Sequence, residues 1–191
     1  MPKTSTFLEE LLAAARGAAA IVAGDRRAAS YFDFSLRGLA GSFIAFLAAT
    51  TFSAFLPVIL GEGDAQLSAG HLLVFAGGIF ASQVGFSALL LRQINRLDGF
   101  VPYVVADNWA TFFLTVLSSI FALFGISGDF VLVVLALLVL VIEINIARLI
   151  VTLSPWQIAM FIVAQLVGAT LGLFVLGAIF PLPPSLLSPG G

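Results

Sequence analysis

A chain of 191 residues that is 61% hydrophobic and only 9% charged, against roughly 25% charged in soluble domains, is not expected to fold as a water-soluble globule. Its mean hydropathy of +1.15 marks a membrane protein, and a net charge of -2 leaves no basic footprint for nucleic acid. One histidine and no cysteine give no ligand set for zinc ribbons, thiolate chemistry, Cys-held clusters or disulfides.

Residues 1–37 form a segment ahead of the apolar runs. Thr6 and Glu9 have capping-box spacing, Phe7, Leu8, Leu11, Leu12, Ala15 and Ala19 recur at helical intervals, and Gly24 ends the pattern. Glu9, Glu10 and Arg16 interrupt the run, which a signal peptide would not allow. Glu9 and Glu10 read as the acidic first turn of a helix rather than a catalytic carboxylate pair. The expected element is an amphipathic helix, either lying on the inner leaflet or packed on the cytoplasmic face of the bundle. In the first case Arg26 and Arg27 face anionic headgroups.

Five segments then reach the roughly 20 apolar residues needed to cross a hydrocarbon core of about 30 Å: 38–60, 71–91, 104–126, 130–150 and 157–180. Together they predict an all-α fold, a bundle of five transmembrane helices over residues 38–180. The first two spans carry no formal charge; the third has Asp107 near its start, and the fourth has Glu143 and Arg148 near its end. Gly125 to Asp129 is a Gly-rich turn, and Ser154, Pro155 and Trp156 read as N-cap, first helical residue and interfacial aromatic. Pro181, Pro183, Pro184 and Pro189 make 181–191 an extended, disordered tail.

All eight basic residues fall on one side of these spans. Lys3, Arg16, Arg26, Arg27 and Arg37 precede the first, Arg92 and Arg96 follow the second, and Arg148 closes the fourth, while the opposite connectors carry Glu62, Asp64 and Asp129. The positive-inside rule therefore predicts a protein of the cytoplasmic (inner) membrane with its N-terminus in the cytoplasm and its C-terminus outside.

Helices in lipid associate through close backbone contact and hydrogen bonds, so small residues at every fourth position mark candidate contact faces. These are Gly41, Ala45, Ala49 and Ser53 on the first span, Gly77, Ala81 and Gly85 on the second, with Gly78 and Ser82 alongside, and Ala164, Gly168 and Gly172 on the fifth. The three spans are expected to be central, with ordinary packing within the chain favoured over a dimer motif. The Val-, Leu- and Ile-rich fourth span is expected to face lipid.

Polar groups at membrane depth supply the candidate site. At 1.5 Å per residue, Glu143 lies about 20 Å from the outer boundary, and Gln83 and Gln165 each about 18 Å. Asn108 and Asn145 fall about one turn closer to the cytoplasm. The expected cluster is thus Gln83, Asn108, Glu143, Asn145 and Gln165, either a hydrogen-bonded lock between helices or an ion or proton site. Arg148 is poorly aligned with Glu143, and Arg92 or Arg96 could reach it instead. His71 beside Ser68 reads as an interfacial polar residue, and no strand-associated glycine motif is present, so no enzyme, metal or cofactor is expected.

The run VLVVLALLVLVIEINIARLIVTLSPWQIAMFIVAQLV, with GFVPYVVADNWATFFLTVL before it, resembles the corresponding part of the Yip domain, a family of five-span membrane proteins that interact with Rab-type GTPases. The resemblance covers about Arg37 to Phe180 and implies five spans with a cytoplasmic N-terminus. The family's Asp-Leu-Tyr-Gly-Pro stretch ahead of the first span is not matched by Tyr31, Phe32, Asp33 and Phe34, and no functional residue carries over. The leading expectation is a non-enzymatic membrane protein acting through helix packing and contact with lipids, other membrane proteins or itself. The alternative is a small transporter or channel component with Glu143 as its coupling site; the absence of an evident internal repeat argues against that architecture.

Overall fold

The computed structural model describes residues 6–61, 69–126 and 128–180; Lys3, Glu62, Asp64, Ser68 and the 181–191 tail lie outside them. It is all α: α1 (Phe7–Val22), α2 (Leu36–Ile59), α3 (Ala69–Gln93), α4 (Phe100–Leu123), α5 (Asp129–Asn145) and α6 (Pro155–Ile179). Single 3-10 turns at Ala28–Tyr31 and Leu97–Gly99 join elements, and α5 finishes in a π turn at Ile146–Ile150. Five of these helical segments are long and apolar enough to cross a membrane: Leu36–Ile59, Gly70–Gln93, Leu97–Leu123, Asp129–Ile150 and Pro155–Ile179. The chain is an integral membrane protein.

Local chemistry fixes the helix ends. Thr6 and Glu9 close the capping box, with Glu9 N donating to Thr6 Oγ1 (3.3 Å) and Thr6 N to Glu9 Oε2 (2.9 Å). Ser154 N donates to Gln157 Oε1 (2.9 Å), and Ser154 is the N-cap and Pro155 the first helical residue of α6, as expected, so the helix opens two residues ahead of the apolar span counted from 157. The third span shows the largest difference. It starts at Leu97 rather than 104, because Pro102 lies in the first turn of α4, where its missing N–H removes no helical bond.

The bundle is organised around two long contacts, α3 with α6 and α2 with α4, and α4 is the most buried span. This corrects the expectation that the first, second and fifth spans are central: α3 is the least buried span, packed mainly along α6. Two ladders are corrected with it. On α2, Gly41, Ala45 and Ala49 are buried, but Ser53 is exposed. On α3, Ala81 and Gly85 are exposed and nothing lies within 4 Å of a Cβ built at Gly77 or Gly85. The contact face is Gly78 and Ser82, the small residues noted alongside that ladder, one position along and therefore rotated by roughly 100°. They meet Leu176, Gly168 and Gly172 of antiparallel α6, where Ser82 Oγ donates to Gly168 O at 2.7 Å. Ala164 is only half-buried. The expectation for α5 agrees with exposed Phe130, Leu132, Val133 and Leu137.

Helix α1 packs on the bundle across α4 and α5, through a buried face of Ala14, Gly17, Ala20 and Ile21. Phe7 meets Trp109 with ring centroids 6.2 Å apart, and Asn145 Nδ2 donates to Ile21 O at 2.8 Å. Its opposite face exposes Leu8, Leu12 and Val22, and Glu9 and Arg16 are also exposed. Of the two placements considered from sequence, the structure shows the packing on the bundle, and it leaves one apolar face of the helix outward beside a polar strip.

Glu10 separates from Glu9 and sits over Gly41, where its Oε1 is buried without a hydrogen-bond partner. Burial pushes its pKa above the usual glutamate range, Asp33 adds to the rise, and Arg37 opposes it. The docked state therefore prefers the protonated acid: its stability is fullest below the undocked pKa and declines as pH rises through the docked value. Protection of α1 amides against hydrogen exchange, corrected for intrinsic rates, should be higher at pH 4 than at pH 7. Glu10→Gln should flatten that dependence; an unchanged slope would show that Glu10 does not control docking.

Candidate functional site

The polar layer joins α3, α4, α5 and α6. Gln165, 4% exposed on α6, is its hub: Nε2 donates to Glu143 Oε2 at 2.9 Å and to Tyr103 OH at 3.3 Å, while Oε1 accepts from Gln83 Nε2 at 3.5 Å. Tyr103 is fully buried, its ring edge-on to Phe161 with centroids 4.9 Å apart. The Glu143 carboxyl is also in hydrogen-bond contact with the carboxyl of Asp107, and both residues are buried. Neither carboxylate can donate, so a hydrogen bond between them requires one shared proton.

Gln83, Glu143 and Gln165 are thus brought together, whereas Asn108 and Asn145 are not part of the same network. Asn108 is one residue past Asp107 and so turned by roughly 100° toward α2, where its Nδ2 donates to Ser42 Oγ at 3.1 Å. Asn145, two residues past Glu143, faces α1 and holds the carbonyl of Ile21. Asp107, noted from sequence as a charge near the start of the third span but left out of the expected cluster, and Tyr103, which was not singled out, complete the network. With the third span begun at 104, Asp107 fell at its edge; from Leu97 it is ten residues in, about 15 Å.

No cation reaches the carboxyl pair among the described residues. Arg96 is used elsewhere: it bonds the carbonyl of Val151, Thr152 O (3.0 Å) and Thr152 Oγ1 (2.8 Å), and pairs with Asp98 at 3.5 Å. Those bonds hold Thr152 in a left-handed conformation (φ 59°) at the α5 to α6 connector. Arg92 and Arg148 are exposed. His71 is exposed at the start of α3, edge-on to Phe180 with centroids 6.3 Å apart, and its expected neighbour Ser68 lies outside the described residues.

Two cavities flank Glu143. The larger, about 420 Å³, lies among α2, α3, α4 and α5 with Asp107, Glu143 and Gln83 in its wall. From Asp107, the hydroxyls of Thr111, Thr115 and Ser118 follow along one face of α4 for about 16 Å, opposite Phe46, Phe80 and Leu135. The smaller, about 300 Å³, lies among α3, α5 and α6 and shares Gln83 and Glu143 while adding Gln165. The arrangement is a pair of buried carboxyls at one end of a hydroxyl-striped, largely apolar chamber. No family model matches the chain, and comparison with curated proteins and with solved structures finds no match.

Proposed function

We propose that this is a small non-enzymatic carrier whose Asp107 and Glu143 carboxyls take up and release a proton within the membrane. The observation that carries this reading is the pair itself: two buried carboxyls in contact, without a cation, in the wall of the 420 Å³ cavity. A purely structural polar contact needs neither a second acid nor open space beside it, and ionisable groups at membrane depth characteristically mark proton or ion pathways. The mixed lining suits a small amphiphilic solute. The basic residues at the end where α1 packs support a cytoplasmic N-terminus, with the C-terminus outside an inner membrane.

The hub at Gln165 favours a second reading, a hydrogen-bonded lock in a protein that acts through helix packing and partner contact, as the Yip resemblance implies. Proteoliposomes separate the two. Under an imposed membrane potential, wild-type protein should move protons, and both Glu143→Gln and Asp107→Asn should abolish the flux while retaining wild-type thermal stability. Flux equal to protein-free liposomes for the wild type, or unchanged in both variants, would leave only the lock. Because the chain has no cysteine, Arg96→Cys in the same vesicles, blocked selectively from the cytoplasmic side, tests the orientation.

A further inference from the structure

A separate cavity of about 380 Å³ lies where α1 ends, lined by Gly24, Arg26, Arg148, Leu149 and Thr152. It contains two guanidinium-bearing residues and no acid. The acid between Gly24 and Arg26 in the chain is already engaged: Asp25 is bound by Arg27, with Nη2 to Oδ2 at 2.9 Å, and that hydrogen bond holds the Asp25 carboxyl below the usual range. Among the described residues neither Arg26 nor Arg148 makes an ion pair. Two cations lining one cavity repel each other, a repulsion that solvent screens and that an anion between them would turn into attraction.

The cavity is built by backbone that few residues adopt. Gly24 terminates α1 at φ 70°, and a Cβ there would stand 3.2 Å from Arg148 Nη2, so the absent side chain gives the guanidinium its room. Thr152, at φ 59°, is clamped by Arg96, and the π turn carries Arg148 between them. The Asn145 to Ile21 hydrogen bond pins the end of α1 to α5 one turn away.

Beyond that contact the surface turns apolar. A groove of about 220 Å³ between α1 and the α4–α5 pair runs past Val22, Phe113, Leu117, Leu138 and Ile142. Arg148 and Leu138 are ten residues apart on α5, a distance of about 15 Å, which an acyl chain spans. We propose that this is a binding site for an anionic phospholipid, with its phosphate between Arg26 and Arg148 and one acyl chain along the groove. Val22 in the wall of the groove is two residues from Gly24 in the wall of the cavity, and an apolar groove within that reach argues for a lipid over soluble phosphate.

The test uses the full chain in an uncharged detergent, with bound lipid counted by native mass spectrometry. Dioleoylphosphatidylglycerol should bind and raise the unfolding midpoint, while dioleoylphosphatidylcholine should not. Arg26→Gln with Arg148→Gln should lower apparent affinity roughly tenfold to thirtyfold, and Arg16→Gln less than about threefold. The Arg26→Lys/Arg148→Lys protein keeps both charges and should retain binding within about threefold, which tests the site even if the glutamine pair fails to fold. Equal binding of the two lipids, or an equal loss in Arg16→Gln, would overturn the site. Displacement of the lipid by millimolar inorganic phosphate would reassign the cavity to a free anion.

Discussion

Replacing Gly168 by valine is expected to cost about 3 kcal/mol or more of folding stability, whereas Gly85→Val should cost less than about 1 kcal/mol. A Cβ at Gly168 would stand 2.9 Å from Ser82 O and 3.0 Å from Gln83 Cα, backbone atoms that a rotamer change cannot move aside. The two helices would have to separate, breaking the hydrogen bond from Ser82 Oγ to Gly168 O and withdrawing Gln83 from Gln165. At Gly85 the same atom meets nothing within 4 Å. Thermal unfolding of both variants in one detergent provides the comparison. Equal stability would show that α3 and α6 are not in backbone contact.

The second large effect is expected at Glu143. Glu143→Leu should destabilise the protein by about 2 to 4 kcal/mol, because Gln165 loses an acceptor and Asp107 is left buried without its partner. Glu143→Gln should stay within about 1 kcal/mol of wild type. Its amide can donate to Asp107 and accept from Gln165, reproducing the geometry without a titratable proton. Denaturant titration in mixed micelles measures both. A leucine variant as stable as the glutamine variant would mean that the network adds nothing to helix association.

The spans and the level of the polar layer were legible in the sequence because both depend on linear quantities. An apolar run either reaches the bilayer thickness or falls short, and a rise of 1.5 Å per residue places Gln83, Glu143 and Gln165 at similar depth before any contact is known. Rotation about each helix axis was not legible in the same way. Gly77, Ala81 and Gly85 form as regular a ladder as any on paper, and which face meets a neighbour depends on where that neighbour stands. The same indeterminacy grouped Asn108 and Asn145 with residues from which their helices turn them away. Asp107 was left out of the cluster because a span begun at 104 sets it near the edge, whereas Pro102, in the first turn of α4, breaks no helical bond and the span runs from 97.

The docking of α1 also constrains the order of assembly. The Asn145 to Ile21 hydrogen bond joins residues 124 positions apart, so α1 is synthesised well before the helix that receives its end. During that interval its protein-facing side has no completed seat. The outward row of Leu8, Leu12 and Val22 gives the nascent segment an affinity for the membrane surface that does not depend on the later helices. Biogenesis then becomes a capture in two dimensions: α1 waits on the lipid, and the arrival of α5 closes a search confined to a plane rather than one through bulk solvent.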